Sequence, residues 1–213
     1  MKTLSTISLG AFVLATASPV MAEETVEKTF AFEDFSEVAF KGVFDVEISV
    51  GGEAYSVQLD GPEEEMDRVS VALDGDQLSF DQSRKKGGGD RKGVDITITM
   101  PALNAVTVAG VAEVEVTGIA AEAFSAKLSG VGDVSLEGTC ETMDAKVAGV
   151  GELDAEKLEC STVDVQVSGV GSAAVFASDD VKARVSGIGE ITVYGNPTSV
   201  EDKSGFFGSV DIK

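Results

Sequence analysis

The sequence predicts an all-β fold, a single-stranded parallel β-helix, on three observations. A glycine recurs about every twenty residues, aliphatic residues alternate with polar ones around it, and a second glycine follows two places on. Five segments carry the recurrence: VTVAGVAEVEV, AKLSGVGDVSL, AKVAGVGELDA, VQVSGVGSAAV and ARVSGIGEITV. Their shared glycine falls at Gly110, Gly130, Gly149, Gly169 and Gly187, in steps of 20, 19, 20 and 18 residues. A fixed period of that length marks stacked repeats and takes precedence over local propensity.

Aligned on that glycine, aliphatic residues stand four before (Val106, Ala126, Ala145, Val165, Ala183) and two before (Val108, Leu128, Val147, Val167, Val185). They return one after (Val111, Val131, Val150, Val170, Ile188) and again four and six after. Such alternation reads as strands with one buried face, and the glycine is read as breaking it between two short strands. Gly132, Gly151, Gly171 and Gly189 follow, with Ala112 in the first repeat. Paired glycines permit a sharp bend and close backbone contact. One segment cannot bury its own face. Stacked in parallel about 4.8 Å apart, the segments share a core, and the crossover rule makes the solenoid right-handed.

The chain in order divides into a signal peptide over 1–22, a lead segment over 23–34 and one solenoid domain over 35–213. Within that domain the repeat coils cover about 101–195 and a C-terminal cap covers 196–213. Lys2, the apolar run ISLGAFVLATA and the cleavage site Val20-Met21-Ala22 make the secretory signal, cleaved after Ala22. The run is too short to span a bilayer, so the mature chain is expected in the periplasm or outside the cell, not as an integral membrane protein. Residues 28–100 carry a looser β grammar, with KTFAF, EVAFKGVFDVEISV, AYSVQLDG, RVSVALDG, QLSFDQ and GVDITITM as strands. GPEEEMDR, over 61–68, reads as one helical turn begun by Pro62. The final NPTSVEDKSGFFGSVDIK reads as a degenerate last coil, because terminal repeats are atypical.

Charge narrows the function. The chain has 16 cations against 37 acids. Without Lys2 the balance is 15 against 37, or −22, which argues against nucleic acid and anionic membrane surfaces as partners. Five of the cations, Arg84, Lys85, Lys86, Arg91 and Lys92, crowd into the loop SRKKGGGDRKG over 83–93. That loop is either a basic finger for an anionic ligand or a hairpin whose charges keep a glycine run solvated; the second reading is favoured.

Few residues offer chemistry. There is no histidine, and no nucleophile-elbow, P-loop or paired-carboxylate signature. No catalytic residue, cofactor site or metal site is read, and the protein is expected not to be an enzyme. GVGD at 130–133 shares letters with calcium-binding nonapeptide repeats, but lacks their spacing and tandem repetition, and cations sit beside its acids. Cys140 and Cys160 each stand nine residues before their repeat glycine. Equivalent places on adjacent coils lie within disulfide reach, and an exported chain favours the bond. Lys127, Lys146 and Arg184 stand three before the glycine, and Glu113, Asp133, Glu152 and Glu190 three after, so ion pairs are expected across the bend. Phe176 and Tyr194, each seven after the glycine, are expected to stack. With Phe206 and Phe207 they form either an exposed strip for a sugar or partner, or, as favoured, a covering of the coil flank.

The opening VAFKGVFDVEI within 35–48, then GDQLSF, then VDITITMPALNAVTVAG and serial SGVGD-type coils resemble the putative auto-transporter adhesin head GIN domain family over about 35–213. The resemblance implies a β-helical extracytoplasmic protein with an adhesin-like label, and it brings no catalytic residues. The sequence thus reads as an exported adhesin-like or envelope-associated binding module, acting by surface contact on an envelope protein or a glycan. One alternative is a small glycan-binding or glycan-processing β-helix protein. Another is a structural periplasmic protein without a ligand.

Overall fold

The structure, a computed structural model, describes residues 25–84 and 92–213. The signal segment and Lys85, Lys86 and Arg91 lie outside the described residues. The described chain is a parallel β-solenoid joined to a less regular N-terminal sheet region.

Four long strands are nearly one coil each: β9 (Val111–Leu128), β10 (Val131–Val147), β11 (Val150–Val167) and β12 (Val170–Val185). They pair in parallel with equivalent residues opposite, Val131 with Val150, Gly132 with Gly151 and Cys140 with Cys160. Register shifts after Leu136 and after Ser135 mark bends within the coil. β13 (Ile188–Tyr194) starts the next coil on β12, β14 (Ser199–Ser204) completes it on β12, and β15 (Gly208–Ile212) lies on β13.

The solenoid begins earlier than the repeat count suggests. β2 (Glu37–Lys41) and β3 (Val43–Val50) form a coil around Gly42, paired in parallel with β8 (Ala105–Val108) and β9. Between β3 and β8 the chain builds β4 (Ser56–Pro62), α1 (Glu63–Met66), β5 (Val69–Asp74), β6 (Gln77–Gln82) and β7 (Val94–Met100). α1 begins after Pro62, as expected, with Glu63, Glu64 and Glu65 in its first turn. β6 and β7 stack in parallel on β2 and β3 and so add one further coil to the ladder. β4 runs antiparallel to β7, β5 antiparallel to β6, and β1 (Thr25–Phe30), from the lead segment, antiparallel to β4.

The alternation runs straight through each glycine instead of breaking there. Places at even offsets from the glycine face inward, as the burial of Val147, Leu153 and Ala155 around Gly149 shows. The glycines at offsets zero and two also stand at inward places. At Gly149 a Cβ would overlap the carbonyl oxygen of Gly130, the glycine below it in the stack. The glycine column is therefore imposed by stacking. The coil core is mostly aliphatic, with Phe124 buried in β9, whereas the first coils add a cluster of aromatic rings, with Phe40 stacked on Phe80 at 5.2 Å and edge-on to Phe44 at 6.3 Å.

Candidate functional site

The residues one place after each glycine do not join the core. Val111, Val131, Val150, Val170 and Ile188 are directly in register, and each is 44–56% exposed. One place after an inward glycine is an outward place, so each coil puts a β-branched side chain on the outer corner. Phe207, 67% exposed, precedes Gly208, which is registered with Gly189, and so takes the next place in the row. The result is an apolar ridge along one edge of the solenoid.

Two places beyond the ridge runs a row of acids. Glu113, Asp133, Glu152 and Glu190 are registered coil on coil, with Ser172 between the last two. The row continues through Asp45, Asp95 and Asp60 of the N-terminal strands. Among the described residues none of these acids has an ion-pair partner. Asp133 instead accepts a hydrogen bond from the backbone N–H of Glu152, at 3.1 Å.

The expected ion pairs across the bend do not form. Lys146 pairs with Asp144 at 2.8 Å and Arg184 with Asp164 at 2.8 Å, both on the cations' own face. The corner is convex, and it splays the rows three before and three after the glycine onto different faces. At the last coil the Lys203 ammonium donates a 3.0 Å hydrogen bond to Glu201 and, with its charge, holds that carboxyl below the ordinary carboxylate range.

The four aromatic residues do not make one strip. Phe176 and Tyr194 are register partners, half-buried. They line an open groove of about 720 Å³ with Glu137, Glu159, Lys157 and Lys213, whose ammonium lies 5.6 Å from the Tyr194 ring centre. Phe206 and Phe207 sit at the opposite end of the β13–β15 pair, at the glycine corner, with their rings edge to face at 5.0 Å. Phe206 is 95% exposed.

Of the basic loop, Arg84 and Lys92 are described, and the Lys92 carbonyl accepts a hydrogen bond from Gln82 at 3.2 Å. Gln82 belongs to a buried polar cluster for which no sequence pattern is a signal. Its amide oxygen accepts from the Val43 N–H at 3.0 Å, its amide nitrogen donates to Glu65 at 2.8 Å, and Glu65 pairs with Arg68. The cluster ties α1 to the first coil. Cys140 and Cys160 are joined as a disulfide between adjacent coils, with Cα atoms 4.5 Å apart. Among the described residues no group of three or more His, Cys, Asp or Glu is placed to hold a metal, and no helix is long and apolar enough to cross a membrane.

Comparison with known proteins agrees with this architecture. A crystal structure of a putative adhesin from Bacteroides fragilis NCTC 9343 superposes with a TM-score of 0.75 at 21% identity, covering 90% of this chain and 98% of the other. A putative adhesin from Parabacteroides merdae ATCC 43184 gives 0.52 at 16% identity, covering 89% and 96%. At those identities the likeness establishes the fold. No curated protein matches the chain. The family model for the putative auto-transporter adhesin, head GIN domain, matches residues 34–197. That family and the disulfide together point to an extracellular or envelope location. With most of its length matched and its fold shared with structures named as adhesins, the chain belongs to the auto-transporter adhesin head GIN domain family.

Proposed function

We propose that this is an exported, adhesin-like binding module that works by surface contact and not by catalysis, with the valine corner as its line of contact. One observation carries the reading: five coils in succession expose a β-branched residue at the same outward place. Monomeric proteins seldom leave a continuous apolar strip uncovered, and those that do usually use it. A stiff solenoid suits the task, because its long edges hold their shape when a partner docks.

A test is retention of the mature protein on envelope fractions from the producing cells. The triple variant Val131→Thr/Val150→Thr/Val170→Thr, which keeps β-branching, should be retained several-fold less than wild type. Equal retention removes the corner from the function. Reproducible bond cleavage in acidic or neutral polysaccharides would overturn the non-catalytic reading.

A second reading is favoured by the groove at Phe176 and Tyr194, where rings, carboxylates and lysines converge as they would for a glycan. For that reading Tyr194→Ala should abolish binding on a glycan array, while the corner variant should leave it intact.

A further inference from the structure

The surroundings of the ridge narrow its partner. Resting on the reading of the corner as a contact surface, we propose that it docks a cationic amphipathic helix, with the helix's apolar stripe on the ridge and its lysines or arginines over the acid row.

The ridge is regular, one residue to a coil. From Val111 to Phe207 it spans six places, about 24 Å at the usual strand spacing. Its two flanks differ in charge. On one side the unpaired carboxylates of Glu113, Asp133 and Glu152 stand two residues away. On the other, the cations are four residues off, and Lys146 and Arg184 are already paired on their own face. A partner on the ridge therefore meets uncompensated negative charge on one side only.

Charge and spacing decide among occupants. An anionic lipid surface or a second copy of this chain, at −21, would set like charges against the acid row. A neutral glycan would leave the carboxylates unanswered. An α-helix rises about 5.4 Å per turn, against about 4.8 Å per coil. One apolar residue per turn can therefore meet one valine per coil for three or four turns before the phase is lost. Apolar side chains at i, i+4 and i+7 or i+8 would seat on Val131, Val150 and Val170, as amphipathic helices seat on apolar surfaces elsewhere.

The test uses two labelled peptides of about 18 residues, or five helical turns, with equal charge: one of leucine and lysine, one of serine and lysine. Each is titrated against the mature protein by fluorescence anisotropy. The leucine peptide should bind at least about tenfold more tightly. Val131→Thr/Val150→Thr/Val170→Thr should remove that advantage and leave the serine peptide unchanged. Glu113→Gln/Glu152→Gln should weaken both.

Equal affinity of the two peptides, or a leucine peptide indifferent to the threonine substitutions, reduces the effect to bulk charge attraction and overturns the proposal. A photo-cross-linking residue at position 150, with position 127 as the off-ridge control, reads the same contact should the triple variant not fold. Cross-links to the leucine peptide from 150 and not from 127 support the proposal; the same yield from both overturns it. Loss of envelope retention in the triple variant with unchanged peptide affinity would leave the contact reading standing and remove this partner class. If neither measurement moves, both readings fall.

Discussion

The repeat coils and the N-terminal region stack on the same ladder but are held together differently. From β9 to β13 the backbone repeats so closely that glycine is imposed wherever an inward side chain would strike the coil below, and the core is filled mostly with valine, alanine and leucine, with Phe124 and Met143 among them. In the N-terminal region β2, β3, β6 and β7 keep to the ladder while β1, β4 and β5 pair antiparallel beside it; the region packs Phe35, Phe40, Phe80, Met66 and Met100 and buries a polar cluster. The two ends differ too. α1, with Met66 buried, packs at the N-terminal end. At the other end Val200 and Ile212 face inward yet remain exposed, and Asp202 stands where the coil below has buried Ala183. An inward charge on an edge strand discourages further strand pairing. Regular stacking thus makes stiff sides cheaply, and irregular structure is needed to close an end.

The largest expected effect separates the two kinds of glycine. Gly149 lacks room for any side chain, whereas Gly75, in the β5–β6 turn, has open space around it and a φ of +63°. Gly149→Val should lower stability by more than about 4 kcal/mol. Gly75→Ala should cost only backbone strain, about 1 kcal/mol. The exposed Lys127→Ala should stay within about 0.5 kcal/mol. Urea unfolding of the three variants decides the matter, and equal effects at Gly149 and Lys127 would count against coil-on-coil packing.

Next in size is the covalent link between β10 and β11. Replacing both cysteines by alanine should remove about 3 kcal/mol, the value for closing a loop of this length in the unfolded chain. Intact protein from the native export route should be lighter by two hydrogens than its reduced form. Uptake of two alkyl groups by the unreduced protein would contradict the bond.

The N-terminal counterpart is polar. Glu65→Gln leaves the Arg68 guanidinium without its carboxylate. Breaking a buried pair costs about 3–5 kcal/mol, and because the Arg68 side chain is 13% exposed we expect about 2 kcal/mol. Hydrogen exchange should locate the loss. Amides of β2, β3 and β6 should exchange faster, while those of β10 to β12 stay protected. Uniform acceleration along the solenoid would show that the two regions unfold as one.

How much was legible follows the same division. The coils could be read because stacking leaves a glycine in every repeat, and the cysteines because they share a place in it. The sixth repeat, KGVFDVEI around Gly42, carries the same signal, but its partner Gly110 lies far along the chain and the intervening hairpins hide the period. The ridge was also legible in parity: one after the glycine shares the outward places of the acids three after, yet aliphatic residues invite a reading as core. The ion pairs expected across the bend were out of reach of pattern alone, since they depend on how sharply the corner turns. The same limit parted Phe206 and Phe207 from Tyr194, because only the register of β15 on β13 shows that they sit at opposite ends of one strand pair.

The smallest effect concerns a single exposed pair on the last coil. Lys203 donates to Glu201 at 3.0 Å, and this hydrogen bond, followed by the lysine's charge, lowers the Glu201 pKa. A carboxyl whose folded pKa lies below its unfolded value adds stability above the ordinary carboxylate range and loses it as pH falls through the folded value. Glu201 is fully exposed, so unfolding measurements should not register the pair, and the titration itself is the readout. In Lys203→Ala the side-chain carboxyl resonance of Glu201 should titrate at higher pH than in wild type. Added salt should shift the wild-type curve in the same direction and the variant's curve less. The Arg184–Asp164 pair one coil below, half-buried and at 2.8 Å, should resist salt better, because solvent screens it less. A Glu201 titration indifferent to the lysine would mean that the pair does not persist in solution, and that the last coil is looser than the four beneath it.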